Sequence, residues 1–112
     1  MKKKVLFVCT YNQDRSPLAE SMLKHSKRYE ARSAGLSPNA DTRITLTAVK
    51  WADIICVMDE ELERHKTLLL KMFPEAKKKS IIVLDVPTDY CFDKFALENI
   101  IREKLREHFL VP

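Results

Sequence analysis

The sequence predicts an α/β fold, a single domain with a parallel sheet covered by helices on both faces. Three observations carry that expectation. Nearly uninterrupted β-favouring runs at 5–8, 53–58 and 80–84 have the pattern of strands buried on both sides. Stretches rich in helix formers separate them, and strand-helix alternation of this kind predicts right-handed crossovers between parallel strands. A chain of 112 residues has room for one domain and can bury about two-thirds of its surface.

The elements follow in order. Val5 to Val8 form the first strand, and Ser16 to Lys27 the first helix. Tyr29 to Ser33 is a more polar run, suited to an edge strand. Thr42 to Trp51 reads as helix, Asp53 to Met58 as strand, Glu60 to Phe73 as helix and Ser80 to Leu84 as the fourth strand. From Asp93 to Phe109 a last helix places Leu97, Ile101, Leu105 and Phe109 on one stripe, with Ile100 beside it. Residues 1–112 form one unit without linker, repeat or low-complexity segment.

Composition closes off several functions. With 46% apolar and 32% charged residues the chain is neither disordered nor a membrane span. A single glycine, Gly35, excludes the Gly-rich dinucleotide fingerprint and the P-loop. The basic runs Lys2 to Lys4 and Lys77 to Lys79 lack interleaved aromatics and read as solvated charge, so no nucleic-acid partner is expected. Cys9, Cys56 and Cys91 are odd in number and lack metal-type spacing, which points to reduced thiols in a cytoplasmic protein with no metal and no cofactor. The run Val5 to Val8 is too short for a signal-peptide core, and a monomer without membrane partner is expected.

In open α/β sheets ligands sit beyond the carboxyl ends of the strands. The segments to inspect are therefore 9–16, 33–41, 58–60 and 85–93. Cys9 ends the first strand; Thr10, Tyr11, Asn12, Gln13 and Asp14 follow; Arg15, Ser16 and Pro17 open the first helix. Ser16 suits the N-cap and Pro17 the first helical position. A thiol before a helix amino terminus has its thiolate favoured by unpaired N–H groups and the helix dipole. Backbone N–H groups of residues 10–16 can form a nest for an oxyanion, and Arg15 can add two parallel N–H bonds to it. Cys9 is thus a candidate nucleophile and Arg15 a candidate phosphate clamp.

Residues Val8 to Glu20 resemble the signature loop of the low-molecular-weight protein tyrosine phosphatases, and Arg32 to Gly35 resemble the Ser-Ala-Gly segment after their second strand. Trp51 to Asp53, the acidic start after Met58, and Val86 to Tyr90 match in order. The chain is shorter than typical members, like a compact bacterial-type branch. The resemblance implies a three-layer domain, here with strand order 2-1-3-4, and a phosphatase acting on phosphotyrosine, in a phosphorylated protein or a small aryl phosphate, through a cysteinyl-phosphate. It implies that Ser16 bonds the Cys9 sulfur. It further implies that Asn12 takes the left-handed backbone conformation, its side chain tied to Ser16 and Ser33. Tyr11 stands where many members have glycine. Asp14 stands near the usual second cysteine, leaving Cys56 or Cys91 as possible redox partners.

A phenolate leaving group has a pKa of about 10, so a proton donor should contribute roughly a hundred- to ten-thousandfold. The family takes this donor from an Asp-Pro pair before an aromatic. Here Thr88 falls at that aspartate, and Asp89, directly before Tyr90, is the expected general acid. Asp85 and Asp93 are the alternatives, although a strand-end turn and a helix N-cap also explain them. Tyr11 and Tyr90 could rim the site. His25, His65 and His108 read as solvated helix residues, Trp51 and Met58 as core, and Cys56 as inert. Two other readings remain: arsenate reduction on the same fold, which needs two further thiols, and a non-catalytic phosphate-binding module, suggested by Thr88 and Asp14.

Overall fold

In a computed structural model, which describes residues 2–108, 110 and 111, four parallel strands form one sheet in the order β2-β1-β3-β4. They are β1 (Lys3–Cys9), β2 (Tyr29–Gly35), β3 (Ile54–Val57) and β4 (Ser80–Val83). The helices are α1 (Arg15–Met22), α2 (Leu46–Trp51), α3 (His65–Met72) and α4 (Lys94–Glu107), with 3-10 turns at Pro74–Lys78 and Thr88–Tyr90. Class, strand number and strand order agree with expectation.

β1 is central because each of its residues from Val5 to Val8 is apolar, so it can serve two cores at once. Val5, Phe7 and Cys9 pack with Ala19 and Leu23 of α1 and with Leu97, Ile101 and Leu105 of α4. Leu6 and Val8 face the other way, onto Val49 of α2 and Leu69 of α3. Phe7 is fully buried, and truncating it to alanine costs about 3–5 kcal/mol in such a site. The polar β2 lies at an edge, as its composition requires. Asp93 caps α4 by accepting from the N–H groups of Phe95 and Ala96. The stripe expected on α4 is buried at Leu97, Ile101 and Leu105; Phe109 lies outside the described residues.

Two helices start later than expected. α2 begins at Leu46 behind Thr45, whose hydroxyl accepts from the Ala48 N–H, rather than at Thr42. α3 begins at His65 because Asp59 terminates the preceding strand with a turn: its carboxylate accepts from the N–H groups of Leu62 and Glu63. That turn engages the Leu62 and Glu63 N–H groups with a side chain before α3 begins. Its consequence is felt at the site, since it turns Glu63 out of any helix.

Parallel strands bring all four carboxyl ends to one edge of the sheet. The loops after β1 and β2 stay joined beyond the strands. Leu36 donates to the Cys9 carbonyl at 3.0 Å, Ser37 to that of Thr10 at 2.9 Å and Asp41 to that of Tyr11 at 3.0 Å. Gly35 lies within this seam.

Candidate active site

The β1–α1 loop wraps around the Cys9 sulfur. Asn12 adopts φ 54°, the left-handed region that asparagine tolerates, and thereby aims its N–H at Cys9 Sγ, 3.2 Å away. Ser16 Oγ lies 2.9 Å from the same sulfur. The direction of that bond follows from its neighbours. Asn12 Nδ2 donates to both Ser16 Oγ and Ser33 Oγ at 2.9 Å, so the Ser16 oxygen already accepts and its own hydrogen is free for the sulfur; the Ala34 carbonyl, at 3.5 Å, is the poorer acceptor. Ser33 passes its hydrogen to Glu20 Oε1 at 2.5 Å. From Glu20 to Cys9 the hydroxyls and the Asn12 amide nitrogen form one hydrogen-bonded run, and two donors converge on the thiol.

α1 starts two residues earlier than a Ser16 cap predicts. Asp14 occupies the N-cap position without a side-chain capping bond, and Ser16 lies inside the helix, its hydroxyl committed to Cys9. An N-cap hydroxyl must turn back toward the helix N–H groups. Ser16 cannot do that and solvate the sulfur as well.

Arg15 is buried, 4% exposed. Its Nη1 donates to the Val86 carbonyl at 2.9 Å and to Glu63 Oε2 at 2.5 Å, and its Nη2 donates to Glu63 Oε1 at 2.7 Å. Burial works to raise the Glu63 pKa, but hydrogen bonds from Arg15 and Thr10 outweigh it and hold the carboxyl below the usual carboxylate range. Thr10 Oγ1 donates to Glu63 Oε1 at 2.8 Å and lies 2.9 Å from His65 Nε2. His65 Nδ1 accepts from the Asp59 N–H at 3.0 Å, so the neutral ring carries its proton on Nε2 and donates toward Thr10.

His65 therefore departs from the expectation of a solvated helix residue. It is fully buried beneath the loop, and burial pushes its pKa down. Glu63 was not singled out by the sequence at all. The one available signal was the acidic stretch after Met58, whose fourth member cannot be told from its neighbours without the turn at Asp59.

An open cavity of about 320 Å³ lies over the loop, walled by Cys9, Tyr11, Gln13, Asp14, Arg15, Glu63, Thr88, Cys91 and Phe92. The structure thus brings Cys9 and Arg15 together. Thr10, Asn12 and Ser16 lie behind the wall as supports. Asp14 contributes to the wall. On the fourth loop Thr88 faces the cavity, whereas Asp89 is exposed on the same 3-10 turn and outside the wall. Asp85 is exposed at φ 60° and Asp93 is the α4 cap, as their simpler readings required. The aromatic rim consists of Tyr11 and Phe92, the latter 97% exposed, rather than Tyr11 and Tyr90. Of the other thiols, Cys91 lines the cavity, whereas Cys56 is enclosed in the core and its pKa is pushed up to about 12 by burial. No group of three His, Cys, Asp or Glu side chains that could hold a metal occurs among the described residues. No helix among them is long and apolar enough to cross a membrane.

A thiol and a buried arginine share a cavity across a strand-loop-helix turn, at the carboxyl edge of a 2-1-3-4 sheet, an arrangement able to hold an oxyanion against a nucleophile. A family model described as low molecular weight phosphotyrosine protein phosphatase matches residues 4–53, from β1 to the end of α2. Over those residues the chain is similar to that family. Similar solved structures include the low molecular weight protein tyrosine phosphatase SP-PTP from Streptococcus pyogenes, at 20% identity and TM-score 0.77, covering 96% of this chain and 91% of that one. Vibrio vulnificus Wzb in complex with benzylphosphonate matches at 23% identity and TM-score 0.77, over 96% and 97%. The YwlE arginine phosphatase from Geobacillus stearothermophilus matches at 24% identity and TM-score 0.69, over 96% and 93%. No match was found among curated proteins.

Proposed function

We propose that this protein hydrolyses phosphotyrosine or a similar aryl phosphate through a cysteinyl-phosphate, as a cytoplasmic monomer. The observation that carries this reading is the pair of donors, Asn12 N–H and Ser16 Oγ, directed at a Cys9 sulfur that shares its cavity with Arg15. Both are suited to stabilising negative charge on sulfur. The phosphate would enter with its equatorial oxygens on the loop N–H groups of residues 10–16 and on Arg15. Cys9 Sγ attacks phosphorus as the bond to the phenolic oxygen breaks, and that oxygen takes a proton from Asp89. Water then attacks the cysteinyl-phosphate, returns a proton to Asp89, and releases inorganic phosphate and the thiolate. For this role the turn Thr88–Tyr90 must shift by about one residue to bring Asp89 over the cavity. Tyr11 and Phe92 offer apolar walls to an aromatic leaving group.

Phosphoarginine is the second reading. Asp14 on the wall is a carboxylate able to face a guanidinium, and one similar structure is an arginine phosphatase. Arsenate reduction is not favoured, because Cys91 is the one further thiol at the cavity. A non-catalytic phosphate-binding module would use the same loop without the Asp89 step. The test compares an aryl phosphate with phosphoarginine as substrates for wild type, Cys9→Ser and Asp89→Asn. Turnover abolished by Cys9→Ser supports the hydrolytic reading, and a rate for aryl phosphate reduced about a hundredfold by Asp89→Asn supports the donor. Clean wild-type protein that binds phosphate without turning over either substrate would leave the binding module.

A further inference from the structure

The donors of Arg15 can be counted one by one. A guanidinium has five N–H groups in a planar fork. Both Nη1 hydrogens are engaged, one by Glu63 Oε2 and one by the Val86 carbonyl, and one Nη2 hydrogen is engaged by Glu63 Oε1. Two remain: the Nε hydrogen and the second Nη2 hydrogen. In the planar group these two lie on the same edge and point the same way. Among the described residues no acceptor occupies that edge. Glu63 grips the end of the fork and leaves one complete side, suited to two oxygens of a phosphoryl group.

Glu63 is itself fixed. Asp59 N–H donates to His65 Nδ1, His65 Nε2 donates toward Thr10 Oγ1, and Thr10 donates to Glu63 Oε1, so the chain of donors runs in one direction and ends on the carboxylate. His65 Nε2 also lies 3.4 Å from Glu63 Oε1. A residue at the mouth of a cavity would not need this support merely to neutralise a charge. It needs it to hold a plane.

We infer that Glu63 is a positioning residue, set by Thr10 and His65, which locks the Arg15 guanidinium with its free edge turned to the reacting phosphoryl group. This rests on the proposed phosphatase reading. The rival role for the same contact is a blocker, in which the carboxylate occupies the arginine and must leave before phosphate enters. The two roles separate by which constant changes. Glu63→Gln keeps the shape and an acceptor for Thr10 but loses the two-pronged, charged grip. With an aryl phosphate, kcat falls about tenfold or more while KM changes less than about threefold, because an aligned arginine matters most as charge spreads over the equatorial oxygens. Orthovanadate, which adds to the thiolate in a five-coordinate geometry, binds at least about tenfold more weakly to the variant.

A lower KM with kcat unchanged or raised would overturn the proposal in favour of a blocker. Unchanged kcat and vanadate affinity, with only a lower melting temperature, would reduce Glu63 to a structural ion pair. If wild type hydrolyses no phosphate ester, the phosphatase reading fails and the vanadate comparison still decides the role of Glu63. Should Glu63→Gln not fold, judged by circular dichroism, Thr10→Val takes its place. It removes the donor that orients the carboxylate, and the same directions are expected with smaller changes.

Discussion

The carbonyl oxygen of Thr10 lies 2.7 Å from the point where a β-carbon on Gly35 would stand, and Ala40 Cβ lies 2.5 Å from that point. The backbone of Gly35 is not in the left-handed region, so conformational freedom is not what the position requires. It requires empty space. The β1–α1 loop can run beside the end of β2 only because the residue there has no side chain, and the same approach allows Ser37 to bond the Thr10 carbonyl.

Gly35→Ala should therefore push the loop away from β2. Overpacking of this kind costs about 1–3 kcal/mol. A lowered midpoint in urea together with reduced orthovanadate affinity is expected; a variant that keeps both would show that the seam yields without moving Cys9.

Asn12 combines a left-handed backbone with two side-chain bonds, and two substitutions separate these. Asn12→Ala loses both and is destabilised by about 2 kcal/mol or more. Asn12→Gly restores the backbone preference without the bonds to Ser16 and Ser33, so thermal stability recovers in part while turnover stays low. Equal activity in Asn12→Gly and wild type would mean that the network does not orient Ser16.

The burial of His65 predicts a pH dependence of stability. Its folded pKa lies below the ordinary 6.5, first through desolvation, so between those values the unfolded chain binds a proton that the folded one refuses. Stability thus falls as pH drops below about 6.5 and continues to fall toward the depressed folded value. Glu63 and Glu60, both depressed as well, act in the more acidic carboxylate window below 4.5. Urea unfolding between pH 7.5 and 5 should show a clear slope in wild type and a shallower one in His65→Gln. Parallel curves would count against the assignment.

Cys9 and Cys56 should separate by reactivity. Cys56, with its pKa pushed up to about 12 in the core, resists iodoacetamide at pH 8 until the chain is unfolded. Cys9 is labelled in the native protein and is shielded by inorganic phosphate. Peptide mass spectrometry reads both. Native labelling of Cys56 at the rate of Cys9 would contradict the packing.

The sheet was legible because its evidence is local and repeated: runs such as Val5 to Val8 announce buried strands, and polar Tyr29 to Ser33 announces an edge. The loop was legible for the same reason. Cys9, Asn12, Arg15 and Ser16 fall within eight consecutive residues, and steric preference and hydrogen-bond reach act directly over that distance. What lay beyond local reach was decided by tertiary structure. Glu63 meets Arg15 across 48 positions and His65 meets Thr10 across 55, contacts that exist only because parallel strands end at one edge and Asp59 turns the chain there. Whether Thr88 or Asp89 faces the cavity depends on the phase of a three-residue turn. Gly35, conspicuous in the sequence as the single glycine, owes its place to the nearness of another strand's loop and not to its own torsion angles. By itself the sequence determined the fold, the thiol and the arginine. The fold determined what holds that arginine in place, since orientation comes from partners distant in the chain.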